Sequence, residues 1–190
     1  MKITPLSLPD VFLIQLDVHR DSRGFLFEAY QNERYLAAGI TAQFVQDNVS
    51  HSTRGVLRGL HFQEPFAQAK LVSVVEGEIF DVAVDVRVGS STFGRWTGEV
   101  LARDNGRQMF IPEGFAHGFA VLSEAATVVY KLSDFLHPEA GRSIAWNDPA
   151  IRIAWPIAEP ILSRQDAAAP CLSAIPRVTL PSLEPKQARE

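Results

Sequence analysis

Cysteine is nearly absent: the 190-residue chain holds one, Cys171. A single thiol closes no intramolecular disulfide and builds no cysteine zinc cluster. Long apolar runs are missing as well. None approaches the ~20 residues needed to span a bilayer, and Met1-Lys2-Ile3-Thr4-Pro5 opens without an apolar leader core. Basic charge is not in excess, since 18 Lys+Arg against 22 Asp+Glu give a formal charge of −4. That balance argues against a dedicated nucleic-acid or membrane-surface protein. At first sight it also argues against an anionic ligand. No two of the histidines at 19, 51, 61, 117 and 137 are spaced i,i+2 or i,i+4, so the usual metal-binding patterns are missing. There is no P-loop, no glycine-rich dinucleotide motif and no nucleophile elbow. These absences lead us to expect a soluble cytoplasmic protein with no metal and no nucleic-acid or membrane partner.

What is present is ordinary globular composition: 46% hydrophobic, 21% charged and 9% aromatic, which excludes disorder. The length suits one domain with a tail. Val11–Ile14 and Phe25–Phe27 read as short strands, with a turn cluster at Asp21-Ser22-Arg23-Gly24. Residues 31–39 read as a short helix stopped by Gly39. From about 43 to 135 the chain is strand-rich. Period-two alternation places Val56, Arg58, Leu60 and Phe62 on one strand face and Leu57, Gly59, His61 and Gln63 on the other. Lys70–Val75 runs into Glu76-Gly77, a hairpin-type turn. Ile79–Val88 alternates Val82, Val84 and Val86 with Asp81, Ala83 and Asp85, the pattern of a half-buried strand. Strands are also predicted at 96–102, 108–111, 118–122 and 127–132. Spacing of about ten residues per strand predicts an antiparallel sandwich or barrel. Ser163 fits a helix cap with Asp166 three residues on, and Pro170 ends that helix. The last ten residues read as a frayed tail.

Single residues carry less. His61 interrupts an apolar strand. A satisfied core histidine is its plain reading, and a general base its chemical one. Lys70 opens an apolar strand, where an edge lysine is the ordinary explanation. Tyr130 reads as a half-buried aromatic, His117 as a turn or core residue, and Asp166 as a first-turn helix residue.

Taken together these residues fall into long ordered motifs. Phe44-Val45-Gln46-Asp47-Asn48 is followed by Gly55-Val56-Leu57-Arg58-Gly59-Leu60-His61-Phe62-Gln63. Asp21 to Glu28, Pro112 to Phe119, Tyr130-Lys131 with Asp134, Ile144 to Pro149, and Leu162 to Asp166 with Pro170 complete the set. Over about residues 2–172 the chain resembles the dTDP-4-dehydrorhamnose 3,5-epimerase family. The resemblance implies an all-β, cupin-type double-stranded β-helix (jelly roll) with a few short helices and no cofactor. It implies a homodimer that exchanges N-terminal strands. The implied layout is an N-terminal arm at 1–40, the jelly-roll core at 41–135, a segment delivering Asp166 at 136–180, and a tail at 181–190.

The implied substrate is a dTDP-linked 4-keto-6-deoxyhexose. Its C4 ketone acidifies the hydrogens on C3 and C5, so the reaction needs a base, a cation for the enolate and an acid on the opposite face. By resemblance His61 is the base and Asp166 its partner. Lys70 stabilises the enolate, and Tyr130 returns the proton. Arg58 grips the diphosphate, with Arg23 doing the same from a partner subunit. Phe25, Glu28, Gln46 and Asn48 line the nucleotide and sugar pocket, and His117 sits near the sugar. Two positions depart from the pattern: Leu136 stands where many members carry tyrosine, and Gln165 where many carry lysine. A mono-epimerase, a non-catalytic nucleotide-sugar-binding jelly roll and a metal-dependent cupin oxygenase are the competing readings.

Overall fold

The computed structural model describes residues 1–183. Thirteen strands appear in chain order: β1 Lys2–Pro5, β2 Phe12–Gln15, β3 His19–Asp21, β4 Gly24–Leu26, β5 Gln46–Thr53, β6 Leu57–Gln63, β7 Lys70–Glu76, β8 Glu78–Asp85, β9 Trp96–Ala102, β10 Arg107–Ile111, β11 Phe115–Val121, β12 Ala125–Leu132 and β13 Gly141–Ser143. Two short helices, α1 Asn32–Ala37 and α2 Arg164–Ala167, and three single 3-10 turns complete them. One sheet has the order β1-β2-β10-β7-β12-β5 and the other β13-β6-β11-β8-β9; β3 and β4 form a separate ribbon. The chain changes sheet at every step from β5 to β8 and again from β9 to β12. All pairings within the sheets are antiparallel. This alternation winds the chain into a jelly roll, as the strand spacing predicted.

Three apolar cores follow from that architecture. Val72, Val74, Met109, Ile111 and Val128 meet Ile79, Ala83, Phe115, Phe119 and Val121 between the sheets. Leu60, Val82 and Val84 point the other way, under Ile144, Ile151, Leu172 and Leu180 of the C-terminal segment. Leu71, Ile14 and Phe110 pack on the far side of the six-stranded sheet, under Tyr35 of α1 and Ile40. Both sheets are therefore covered on their outer faces. This corrects the reading of Ile79–Val88 as half-buried: Asp81, Val82, Ala83, Val84 and Asp85 have no exposed surface. Complete burial of each such valine stabilises by about 1.5–3 kcal/mol.

Two further expectations change. Glu76-Gly77 is no hairpin, because β7 and β8 lie in different sheets. Gly77 turns the corner between them with φ +75°, and a Cβ there would meet the Ala125 carbonyl oxygen at 2.0 Å. Lys70 is no edge lysine, since β7 lies between β10 and β12. The tail expected from 181 begins paired. The Val88 N–H donates to Pro181 O at 2.7 Å, and the Leu183 N–H to Val88 O at 3.2 Å. The rest of that tail lies outside the described residues.

Candidate active site

At one end of the space between the sheets, the inward positions change from apolar to polar. On β7 the inward series is Val74, Val72, Lys70. On β12 it is Ala126, Val128, Tyr130. His117 on β11 and Asn48 on β5 continue the ring, and β6 adds Arg58 and His61. The result is a cavity of about 270 Å³ lined by Asn48, Arg58, His61, Gln68, Lys70, His117, Phe119, Tyr130, Leu132 and Leu136.

Strict alternation would put Arg58 and His61 on opposite faces of β6. They share the cavity because β6 carries one extra residue. Opposite β11, His61 pairs with His117 and Arg58 pairs with Phe119, so three steps on β6 match two on β11. A bulge of this kind flips every side chain beyond it. Val56 consequently packs into the inter-sheet core, while Leu60 and Phe62 pack on the outer side. Gly59 sits at the bulge with φ +124°, where a Cβ would lie 2.5 Å from the Gly118 Cα. Glycine on both strands permits that approach.

His61 and Asp166, 105 positions apart, form a hydrogen bond of 2.5 Å between Nε2 and Oδ1. The C-terminal segment makes this contact possible. Ile161 exchanges backbone hydrogen bonds with Gly55 and Leu57 at the start of β6. Ser163 then caps α2 by accepting from the Asp166 N–H at 3.0 Å. Asp166 is thus a first-turn residue whose carboxylate reaches across to the imidazole. Burial pushes that carboxyl up. Hydrogen bonds and charge from His61, with hydrogen bonds from Ser163 and the Gly59 backbone, outweigh burial and hold it below the usual carboxylate range. The His61 side chain is 43% exposed and that of Asp166 3%, so the imidazole presents its other nitrogen to the cavity from a buried anionic mount.

Lys70 is buried, and its Nζ donates to the His61 carbonyl oxygen at 3.2 Å. Burial lowers its pKa to about 8, with Asp81 opposing the shift. His117 is also buried and shares a 2.7 Å hydrogen bond between Nε2 and Asp81 Oδ1. Burial draws its pKa down against the pull of Asp81. Tyr130 lies 6.5 Å from His117, ring to ring. His61 and Tyr130 belong to different sheets.

Arg58 is steadied by Ser52, to whose Oγ its Nε donates at 3.0 Å. Gln46 does not line the cavity wall but organises its rim. Its amide donates to Asn48 Oδ1 at 2.8 Å, and its oxygen accepts from the Leu136 N–H at 3.1 Å. Gln63 and Gln68 bind the same 134–137 loop. The Gln63 oxygen accepts from the His137 N–H at 2.8 Å, and the Gln68 amide donates to Asp134 O at 2.9 Å. The remaining expected residues lie elsewhere on this chain. Arg23 is 89% exposed and paired with Asp21 on the β3–β4 ribbon. Phe25 stacks on Phe27 at 5.8 Å and lines a separate recess with Arg23. Glu28 is bound to Arg34 at 2.7 Å.

Sequence reasoning missed Gln68 and Asp81. Gln68 sits in an irregular stretch without periodicity. Asp81 had a visible signal, a carboxylate in the apolar run from Ile79 to Val86. Among the described residues, no group of three or more His, Cys, Asp or Glu is arranged to hold a metal ion. No helix there is long and apolar enough to cross a membrane.

Comparison with known proteins places the chain in a family. The family model for dTDP-4-dehydrorhamnose 3,5-epimerase matches residues 5–174. A dTDP-4-dehydrorhamnose 3,5-epimerase of Pseudomonas aeruginosa is 55% identical over 168 residues, covering 87% of this chain and 93% of its own. A Legionella pneumophila dTDP-6-deoxy-D-glucose-3,5-epimerase, crystallised in complex with dTDP-4-keto-L-rhamnose, superposes with a TM-score of 0.94. It shares 49% identity, covering 96% of this chain and 98% of that one. A Streptomyces bikiniensis 3'-monoepimerase in complex with dTDP-quinovose gives 0.88 at 37% identity, covering 94% and 92%. Sequence and fold therefore agree, and the chain belongs to the dTDP-4-dehydrorhamnose 3,5-epimerase family, whose members are isomerases built on a cupin-like jelly roll.

Proposed function

We propose that this chain inverts C3 and C5 of dTDP-4-dehydro-6-deoxy-D-glucose to give dTDP-4-dehydro-L-rhamnose. The observation that carries the reading is the placement of the His61–Asp166 dyad and Tyr130 on opposite walls of one cavity, with Lys70 between them in sequence and lining the same space. His61 takes the proton from the carbon beside the ketone; the C–H electron pair becomes the new C=C bond, and the C=O π pair moves onto the C4 oxygen. Lys70 as ammonium donates to that oxygen. Its charge matches the enolate better than the neutral ketone, which lowers the barrier and not merely the ground state. Tyr130 delivers its hydroxyl proton to the other face of the carbon. Imidazolium and phenolate then exchange protons with water, and the second carbon follows.

The cavity lies below the roughly 300–1,000 Å³ usual for larger ligands. It suits the sugar ring, leaving the diphosphate to Arg58 at the rim and the nucleoside outside. The exposed ribbon carrying Arg23 and Phe25 supports a homodimer in which each ribbon completes the partner's nucleotide site, with Glu28 at its base.

Incubation with the substrate in D2O tests the reading. Deuterium is expected at both C3 and C5 of the product. Label at one centre alone identifies a mono-epimerase, for which the 3'-monoepimerase relative gives a precedent in fold. Binding without label identifies a non-catalytic nucleotide-sugar protein.

A further inference from the structure

Beneath the cavity lies a carboxylate that the mechanism above does not use. Asp81 is fully buried, two residues along β8 from Ala83, the residue directly opposite His117 on β11. On one face of the sheet the two side chains are diagonal neighbours, within reach of each other. Its Oδ1 is engaged by His117 Nε2 at 2.7 Å, while its Oδ2 has no hydrogen-bond partner among the described residues. An anion kept in such a place is costly unless nearby positive charge or donors compensate it. His61 and His117 face each other directly across β6 and β11, so two His–Asp pairs stand side by side at one cavity.

We propose that Asp81 is a positioning residue of this site: it holds His117 as the neutral tautomer with its proton on Nε2, and it supplies the negative charge against which Lys70 keeps its own. With the Nε2 proton committed to Asp81, Nδ1 of His117 is a fixed acceptor for a sugar hydroxyl. Lys70 then keeps its role as the cation that meets the developing enolate. The titratable groups around Lys70 are His61 and Arg58 from β6, His117 from β11, Asp81 from β8 and Tyr130 from β12. Asp166 is taken up by His61. The negative charge acting on Lys70 is therefore that of Asp81, in agreement with its opposition to the lowered lysine pKa.

The inference rests on the epimerase reading for its kinetic arm and is independent of it for its spectroscopic arm. Asp81→Asn keeps an oxygen to accept from Nε2–H and removes the charge. It is expected to move the alkaline limb of kcat about one pH unit lower, with kcat above pH 8 reduced about tenfold. An unmoved limb with kcat within twofold of wild type overturns the charge role. In the unsubstituted protein, 15N-histidine NMR reads His117 directly, its signal assigned by loss in His117→Gln. Neutral Nε2–H across pH 6–8 is expected. An imidazolium or an Nδ1–H tautomer overturns the tautomer role, whether or not Asp81→Asn folds. An inactive wild-type protein that shows the Nε2–H tautomer rejects the epimerase reading and leaves the placement of His117 standing.

Discussion

At the residue scale the site depends on pairs, each member of which sets what the other can do. As the proposed base, His61 depends on Asp166, which engages one of its nitrogens and would compensate the charge it gains. His61→Ala is expected to lower kcat by roughly 10²–10⁴-fold, the usual loss when a general base is removed; turnover near the wild-type rate would refute its role. Tyr130→Phe removes the proton donor and not the base. Washout of substrate label into water should persist while formation of inverted product falls, and equal loss of both would reject a two-face division of labour. Lys70 gives a pH signature. Its folded pKa of about 8 lies below the ordinary lysine value, so the ammonium is present below that pH and lost as pH rises through it. The rate is expected to decline above about pH 8, and Lys70→Arg, charged throughout, should abolish that decline whatever it does to the maximum rate.

At the scale of elements, the bulge in β6 decides which side chains meet the substrate. Gly59→Ala places a methyl against Gly118 in a backbone conformation that L side chains avoid. Left-handed strain and overpacking together are expected to cost about 2–4 kcal/mol, read as a lower denaturant midpoint, with loss of activity in the fraction that still folds. The same bulge marks the limit of what the sequence disclosed. Strand positions were legible because alternation and turn residues are local: 96–102 was placed to the residue, and Gly39 and Ser163 mark the helix ends. The facing of Arg58 was not legible, because an extra residue in one strand is defined only against its partner. The corner at Gly77 was misread for a like reason. A glycine turn looks the same whether the next strand folds back or crosses to another sheet. The motifs named most of the residues that gather at the cavity, with Gln46 and Gln63 of its rim among them, but not Gln68, which lies in an irregular stretch between motifs.

At the scale of the whole molecule, the C-terminal segment is both cover and carrier. Leu172 and Leu180 bury the outer face of the five-stranded sheet, and the same stretch brings α2 against His61. Asp148 fastens it, accepting from the Leu172 N–H at 2.7 Å and from the Ala150 N–H at 2.7 Å. Asp148→Ala leaves the buried Leu172 N–H unsatisfied, at about 1–3 kcal/mol. Unfolding at lower denaturant is expected, together with a reduced kcat, since the mount of Asp166 loosens with the segment. The formal charge of −4 no longer speaks against an anionic ligand. Arg58 and Lys70 line one cavity, where Asp166 and Asp81 are each taken up by a histidine, and such local placement of charge, not the net sum, decides what a cavity attracts.

On the proposed mechanism the two sheets supply the base and the acid separately, so stereochemistry becomes a property of packing distance. Face-to-face sheets stand about 10 Å apart, and that gap fixes the thickness of anything held between imidazole and phenol. A flat ring reaches both walls. A ring held off one wall exchanges its proton only at the other, without turning over. On that mechanism the inner-core valines, which line no part of the cavity, act as the spacer that decides whether a carbon is inverted or merely scrambled with solvent.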